Sequence, residues 1–189
     1  MNRLSITGIV PVVKILEKED AYPLAKALLN GGIDVIEVTY RSEHATSAIQ
    51  TISEQLPDML VGAGTVLSVE QAKEAVEAGA KFIITPGFNT KVVQWCLDHD
   101  VEVYPGVSTA SEVEMALSMG LTQLKFFPAE SSGGAKKLKD LSAPYANVHF
   151  MPTGGINTKN MHDYLSLPNV EAIGGSFMLP NDLVVSKDW

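Results

Sequence analysis

Leu60-Val61-Gly62-Ala63-Gly64-Thr65-Val66 is a continuous apolar run, and together with the next twenty residues it decides the fold. Ser68-Val69-Glu70-Gln71 reads as a capping box that starts a helix. That helix ends on Ala75-Val76-Glu77-Ala78-Gly79, where the glycine supplies a left-handed cap. A second apolar run then begins at Phe82. The unit is strand, helix, strand, and an unbroken apolar run suits a parallel strand covered on both faces.

The same unit recurs along the chain. Apolar, β-rich runs stand at 9–15, 35–40, 60–66, 82–86, 101–107, 123–128, 148–152 and 172–177, one about every 19 to 26 residues. Between them lie helical segments. Asp20 precedes one over 21–30, with Pro23 tolerable in its first turn, and Thr109-Ala110-Ser111-Glu112 is a second capping box. Ala27-Leu28-Leu29-Asn30-Gly31 and Ala116-Leu117-Ser118-Met119-Gly120 repeat the ending at Gly79, with alanine and the next apolar residue facing inward and glycine as the cap. Internal similarity of this kind predicts a single-domain α/β protein, a (β/α)8 TIM barrel. Only residues 179–189 come after the eighth run, so the final helix is expected to be missing, truncated or very short.

Composition narrows the function classes. The chain has 14 Lys and Arg against 22 Asp and Glu, a net charge of -8, and no basic patch of the kind nucleic acid requires. No apolar run approaches the roughly 20 residues of a membrane span, and the N-terminus lacks a secretory stretch. Cys96 is the only cysteine, so no internal disulfide forms and a reducing, cytoplasmic setting is expected. It sits mid-helix in Val92-Val93-Gln94-Trp95-Cys96-Leu97, as a buried structural thiol would. His44, His99, His149 and His162 have no metal-ligand spacing, so no metal and no cofactor are expected. Gly62-Ala63-Gly64 lacks the rest of a dinucleotide fingerprint.

A barrel places its chemistry at the C-terminal ends of its strands. Lys125 stands in Gln123-Leu124-Lys125-Phe126-Phe127-Pro128, among apolar neighbours. Burial disfavours the charged form of a lysine and frees its amine as a nucleophile, although a structural lysine paired with a carboxylate satisfies the same position. Glu37 shares a strand face with Thr39 and Arg41. It reads either as a proton-transfer group or as the structural partner of Lys125. Arg41 lies at the strand exit, where its fork can grip a carboxylate or simply be solvated. Thr153-Gly154-Gly155 and Gly174-Gly175-Ser176 end the seventh and eighth runs, where barrels bind phosphate through backbone N–H groups; tight turns alone would also use such glycines.

Several of these stretches taken together resemble a known family. Glu37-Val38-Thr39-Tyr40-Arg41, Gly62-Ala63-Gly64-Thr65-Val66, Lys125-Phe126-Phe127-Pro128-Ala129-Glu130, Pro152-Thr153-Gly154-Gly155-Ile156 and Ile173-Gly174-Gly175-Ser176 resemble the 2-keto-3-deoxy-6-phosphogluconate (KDPG) / 4-hydroxy-2-oxoglutarate (KHG) aldolases, in the same order and over nearly the whole chain. The resemblance implies a metal-free class I aldolase of the Entner–Doudoroff type, usually a homotrimer, acting on a phosphorylated 2-keto acid and releasing pyruvate. It implies Lys125 as the Schiff-base lysine and Glu37 as the general acid/base. It implies Arg41 and Thr65 on the pyruvyl carboxylate with Thr153 close by, and Gly154, Gly155, Gly175 and Ser176 on the phosphate. Pro86 and Phe127 would line the pocket. The galactonate-type subgroup resembles this chain less. The family normally continues into a final helix, and the short C-terminus departs from that pattern. Two other readings fit the same barrel: a phosphosugar isomerase or synthase, and a non-catalytic phosphosugar-binding protein.

Overall fold

Each apolar run carries a strand, and in six of the eight the last residues of the run lie beyond the strand, as loop. This is visible in a computed structural model that describes residues 8–189. The strands are β1 (Ile9–Val13), β2 (Val35–Thr39), β3 (Leu60–Gly64), β4 (Phe82–Ile84), β5 (Glu102–Tyr104), β6 (Gly106–Val107), β7 (Gln123–Phe126), β8 (His149–Pro152) and β9 (Ile173–Gly175). The helices are α1 (Ala21–Asn30), α2 (Ala45–Gln55), α3 (Val69–Glu77), α4 (Thr90–Asp98), α5 (Ala110–Ser118), α6 (Gly134–Ser142), α7 (Met161–Leu165) and α8 (Asn181–Ser186). The strand pairings among the described residues are parallel, in a six-stranded sheet ordered β5-β4-β3-β2-β1-β9 and a three-stranded sheet ordered β6-β7-β8.

Nine strands in two sheets stand where one ring of eight was expected. The difference lies at Pro105, which splits the run over 101–107 into β5 and β6. Proline has no N–H to donate, so the ladder lapses at that residue. Its carbonyl still accepts from the Lys125 N–H at 2.9 Å, and the Phe127 N–H reaches Val107 O at 3.1 Å. On the far side, isolated bridges join Phe150 to Val170 and Thr153 to Gly174. The sheet is strongly curled. Val10 of β1, Ile84 of β4 and Met151 of β8 belong to one buried cluster, which an open sheet in this order would keep apart. Phe82 fills the interior where Gly62 leaves room, since a Cβ at Gly62 would overlap its ring.

Helices cover the outer face, burying α1, α2, α3 and α4 against β1 to β4 in one apolar cluster and α5 and α6 against β7 and β8 in another. Cys96 of α4 is fully buried there, and desolvation pushes its thiol up to about 11. Thr109 and Glu112 form the expected capping box. Ser68 caps α3, but the Gln71 side chain accepts from the Leu67 N–H rather than from Ser68.

Three local expectations change. The Asp20 side chain does not cap α1; it is nearly buried and pairs with Lys187 at 2.8 Å, which ties the end of α8 to the start of α1. The left-handed glycine after α1 is Gly32 (φ 85°) rather than Gly31, whereas Gly79 and Gly120 hold the expected conformation. Of each alanine and its apolar neighbour only one is buried: Leu28, Ala75 and Ala116 pack inward, while Ala27 and Val76 are half-buried and Leu117 is exposed, because successive helical positions diverge by about 100°. The last helix is present and six residues long. No described helix is long and apolar enough to cross a membrane.

Candidate active site

The site grows from β2. Five consecutive buried residues, Val35-Ile36-Glu37-Val38-Thr39, put a carboxylate inside the curl of the sheet. Glu37 is 0% exposed, and it fits because Gly64 at the end of the neighbouring β3 has no side chain: a Cβ there would overlap the carboxylate. Lys125 enters from β7, 4% exposed, and its Nζ donates to Glu37 Oε1 at 3.3 Å. The ammonium-bearing end also lies 5.2 Å from the Phe127 ring centroid, within cation–π range. Removing one partner of such a pair would strand the other charge, so each residue makes the other tolerable.

The pair is not sealed in. A cavity of about 280 Å³ is lined by Glu37, Arg41, Thr65, Pro86, Lys125, Phe127, Thr153, Gly154, Gly155, Gly175 and Ser176. All eleven residues singled out in the sequence therefore converge on one pocket, from the C-terminal ends of β2, β3, β4, β7, β8 and β9. Val12 of β1 and Ile156 after the glycine turn complete the lining and were not given a role; a single apolar residue carries no sequence signal of its own. Two buried oxygens, Glu37 Oε2 and Thr153 Oγ1, lack a protein hydrogen-bond partner. Buried polar atoms are ordinarily satisfied, so two orphans in one cavity mark a place where a polar ligand or water belongs.

Local backbone geometry aims the remaining groups. Thr65 is held at φ 55°, a conformation that is uncommon outside glycine and clusters at functional sites. Thr85 donates to Gly87 O at 2.7 Å and folds the turn that presents Pro86; a Cβ on Gly106 would overlap the Pro86 carbonyl, so the two strands meet closely there. Gly154 (φ 105°) and Gly155 (φ 81°) are both left-handed, turning the chain across the end of β8. No hydrogen bond within the described residues uses the N–H of Gly155 or of Ser176. Unengaged N–H groups on neighbouring turns form an anion-binding concavity without any cation.

That glycine turn has a support absent from any linear motif. Glu130 donates its N–H to Gly154 O at 3.1 Å, and its side chain packs under Gly155. The Glu130 carboxylate accepts a hydrogen bond from the Tyr164 hydroxyl of α7. Burial first, and then Glu130, push Tyr164 well up from the ordinary tyrosine range, so it stays a donor. Among the described residues no three His, Cys, Asp or Glu side chains converge as a metal site.

Known proteins share both the sequence and this geometry. Residues 1–189 match the family described as KDPG and KHG aldolase. The 2-dehydro-3-deoxy-phosphogluconate aldolase of Treponema pallidum is 48% identical over 181 residues, covering 96% of this chain and 86% of that protein. The KDPG aldolase of Legionella pneumophila, solved with pyruvate captured as a covalent carbinolamine intermediate, superposes with a TM-score of 0.96 at 42% identity, covering 98% of this chain and 90% of that one. The KDPG aldolase of Zymomonas mobilis ZM4, solved with 3-phosphoglycerate, gives 0.91 at 38% identity, covering 94% and 85%. A sequence match over the full length, joined to superposition of nearly the whole fold, means that this chain belongs to the KDPG and KHG aldolase family.

Proposed function

We propose that this chain is a class I aldolase that cleaves 2-keto-3-deoxy-6-phosphogluconate to pyruvate and glyceraldehyde 3-phosphate, with 4-hydroxy-2-oxoglutarate, which would give pyruvate and glyoxylate, as a second substrate. The observation that carries it is the buried Lys125–Glu37 pair opening on a cavity in which Glu37 Oε2 has no protein partner. Lys125, once its proton is handed to Glu37, attacks the C2 ketone. Loss of water from the carbinolamine gives an iminium that draws electrons from the C3–C4 bond. Glu37, directly or through one water, takes the C4 hydroxyl proton as that bond breaks. Glyceraldehyde 3-phosphate leaves, the enamine is protonated at C3, and hydrolysis frees pyruvate and Lys125. The pyruvate carbinolamine of the Legionella pneumophila relative supports the first step.

In this reading Arg41 and Thr65 hold the pyruvyl carboxylate, with Thr153 Oγ1 beside them. Gly154, Gly155, Gly175 and Ser176 cradle the phosphate, which the net charge of -8 would otherwise repel. Pro86 and Phe127 form the apolar walls. The two sheets are read as one eightfold barrel, with β5 and β6 a single strand interrupted at Pro105. A homotrimer is the assembly expected of this family. Membership in an aldolase family leaves the isomerase or synthase and the inert binding protein without support.

The test is to incubate the protein with pyruvate, reduce with borohydride, and locate the adduct by peptide mass spectrometry. An adduct on Lys125 is expected; a folded protein without one would refute the imine mechanism. Comparison of kcat/KM across phosphorylated and non-phosphorylated 2-keto acids then ranks the substrates.

A further inference from the structure

Thr39 is the one buried polar side chain on the inward face of β2 to which the aldol cleavage gives no role. It is 0% exposed and stands between Glu37 and Arg41 at the strand's two-residue period. A threonine hydroxyl has one proton to give and lone pairs to accept with. Here the proton is committed: Thr39 Oγ1 donates to Val13 O at 2.8 Å, and a carbonyl can only accept. The lone pairs therefore face away from β1, and they receive the Arg41 Nε–H at 3.1 Å. That is the sole hydrogen bond or ion pair of Arg41 among the described residues.

Arg41 itself is exposed and lies just past the end of β2. An untethered arginine has large rotamer freedom to lose on gripping a ligand. Engaging Nε alone fixes the guanidinium plane and leaves both terminal NH2 groups free for an end-on, two-point grip on a carboxylate. We propose that Thr39 is a positioning residue: it relays the rigid β1 backbone at Val13 to Arg41 and so presets the clamp for the 2-keto acid's carboxylate. This rests on the reading of Arg41 as that clamp.

The experiment measures borohydride trapping on Lys125 as a function of pyruvate concentration, with hydroxyacetone as a neutral ketone that lacks the carboxylate. Thr39→Val keeps the shape and removes the acceptor; Thr39→Ser keeps the acceptor. Thr39→Val is expected to raise the half-saturating pyruvate concentration about tenfold, the scale of one hydrogen bond to a charged group. Thr39→Ser should restore it to within about twofold, and hydroxyacetone trapping should be the same in all three proteins. In an Arg41→Ala background, Thr39→Val should add nothing, since the two act as one unit. An unchanged pyruvate dependence in Thr39→Val would overturn the proposal, as would an equal further loss in the Arg41→Ala background. Loss of hydroxyacetone trapping in Thr39→Val would also overturn it, because the residue would then be supporting the fold. Arg41→Ala with normal pyruvate dependence is a separate result: it would remove the clamp itself, whatever Thr39 does.

Discussion

The floor of the pocket and its rim are made of different material. The floor is two charged side chains, Lys125 and Glu37, buried at 4% and 0% exposure and held by each other. The rim at the ends of β8 and β9 is mostly main chain, with two left-handed glycines and a single exposed hydroxyl on Ser176. In the proposed function the floor is the reactive part, and reactivity requires specific atoms shielded from water. In the proposed function the rim accepts a phosphate in an acidic protein, and N–H groups would do so without adding a buried charge. The floor is therefore most sensitive to losing atoms, whereas the main-chain part of the rim is most sensitive to gaining them.

The sharpest way to break this contrast is Lys125→Ala. Turnover should fall on the order of 10⁴-fold or more in a steady-state assay, with loss of the borohydride adduct. Full activity in that variant would sink the mechanism. The same change leaves Glu37 buried without its cation, so thermal unfolding should also shift downward. Glu37→Gln is next. It keeps the shape and removes the proton acceptor, so kcat should fall about 10²- to 10⁴-fold with little change in KM. A variant that mainly raised KM would recast Glu37 as a binding group.

The rim predictions are smaller and selective. In Gly155→Ala the new Cβ would sit 2.6 Å from Glu130 Cγ, at φ 81°. The strain is about 1 to 3 kcal/mol, read as a lower Tm, and KM should rise for the phosphorylated substrate in particular. Ser176→Ala should raise KM about three- to tenfold for the phosphorylated acid and leave a non-phosphorylated keto acid nearly unchanged. Equal effects on both would remove the phosphate assignment and with it the contrast.

The rim and the floor also differ in how far they could be read from sequence. Lys125, Glu37 and the glycine pairs were legible because their residue types are costly or conspicuous in apolar strands, and because a parallel α/β fold brings strand ends together. A distant partner was legible only where a buried charge demanded one, as Glu37 for Lys125; other long-range pairings were not. Asp20 looked like a helix cap by its position, yet its side chain goes to Lys187, and no local rule connects the two. The Tyr164–Glu130 bond that steadies the glycine turn spans 34 residues and two elements. Pro105 was visible as a residue, but its effect on the ladder depends on which neighbour needed its N–H. Thr39 shared a face with Arg41 by simple alternation; that it receives the Nε proton depends on where its own proton goes, and only the Val13 carbonyl fixes that.

Cys96 has a practical consequence. It is the only cysteine of the chain, wholly buried in α4, with its thiol pushed up to about 11. At neutral pH its thiolate fraction is on the order of 10⁻⁴, while a new cysteine at an exposed position such as Lys159 would ionise near 8.5 and carry a few per cent. A maleimide dye would choose the new site by about two orders of magnitude before burial is even counted. This chain is thus already suited to single-position labelling, and fluorophores or spin probes can be set around the pocket mouth without first removing a residue from the core.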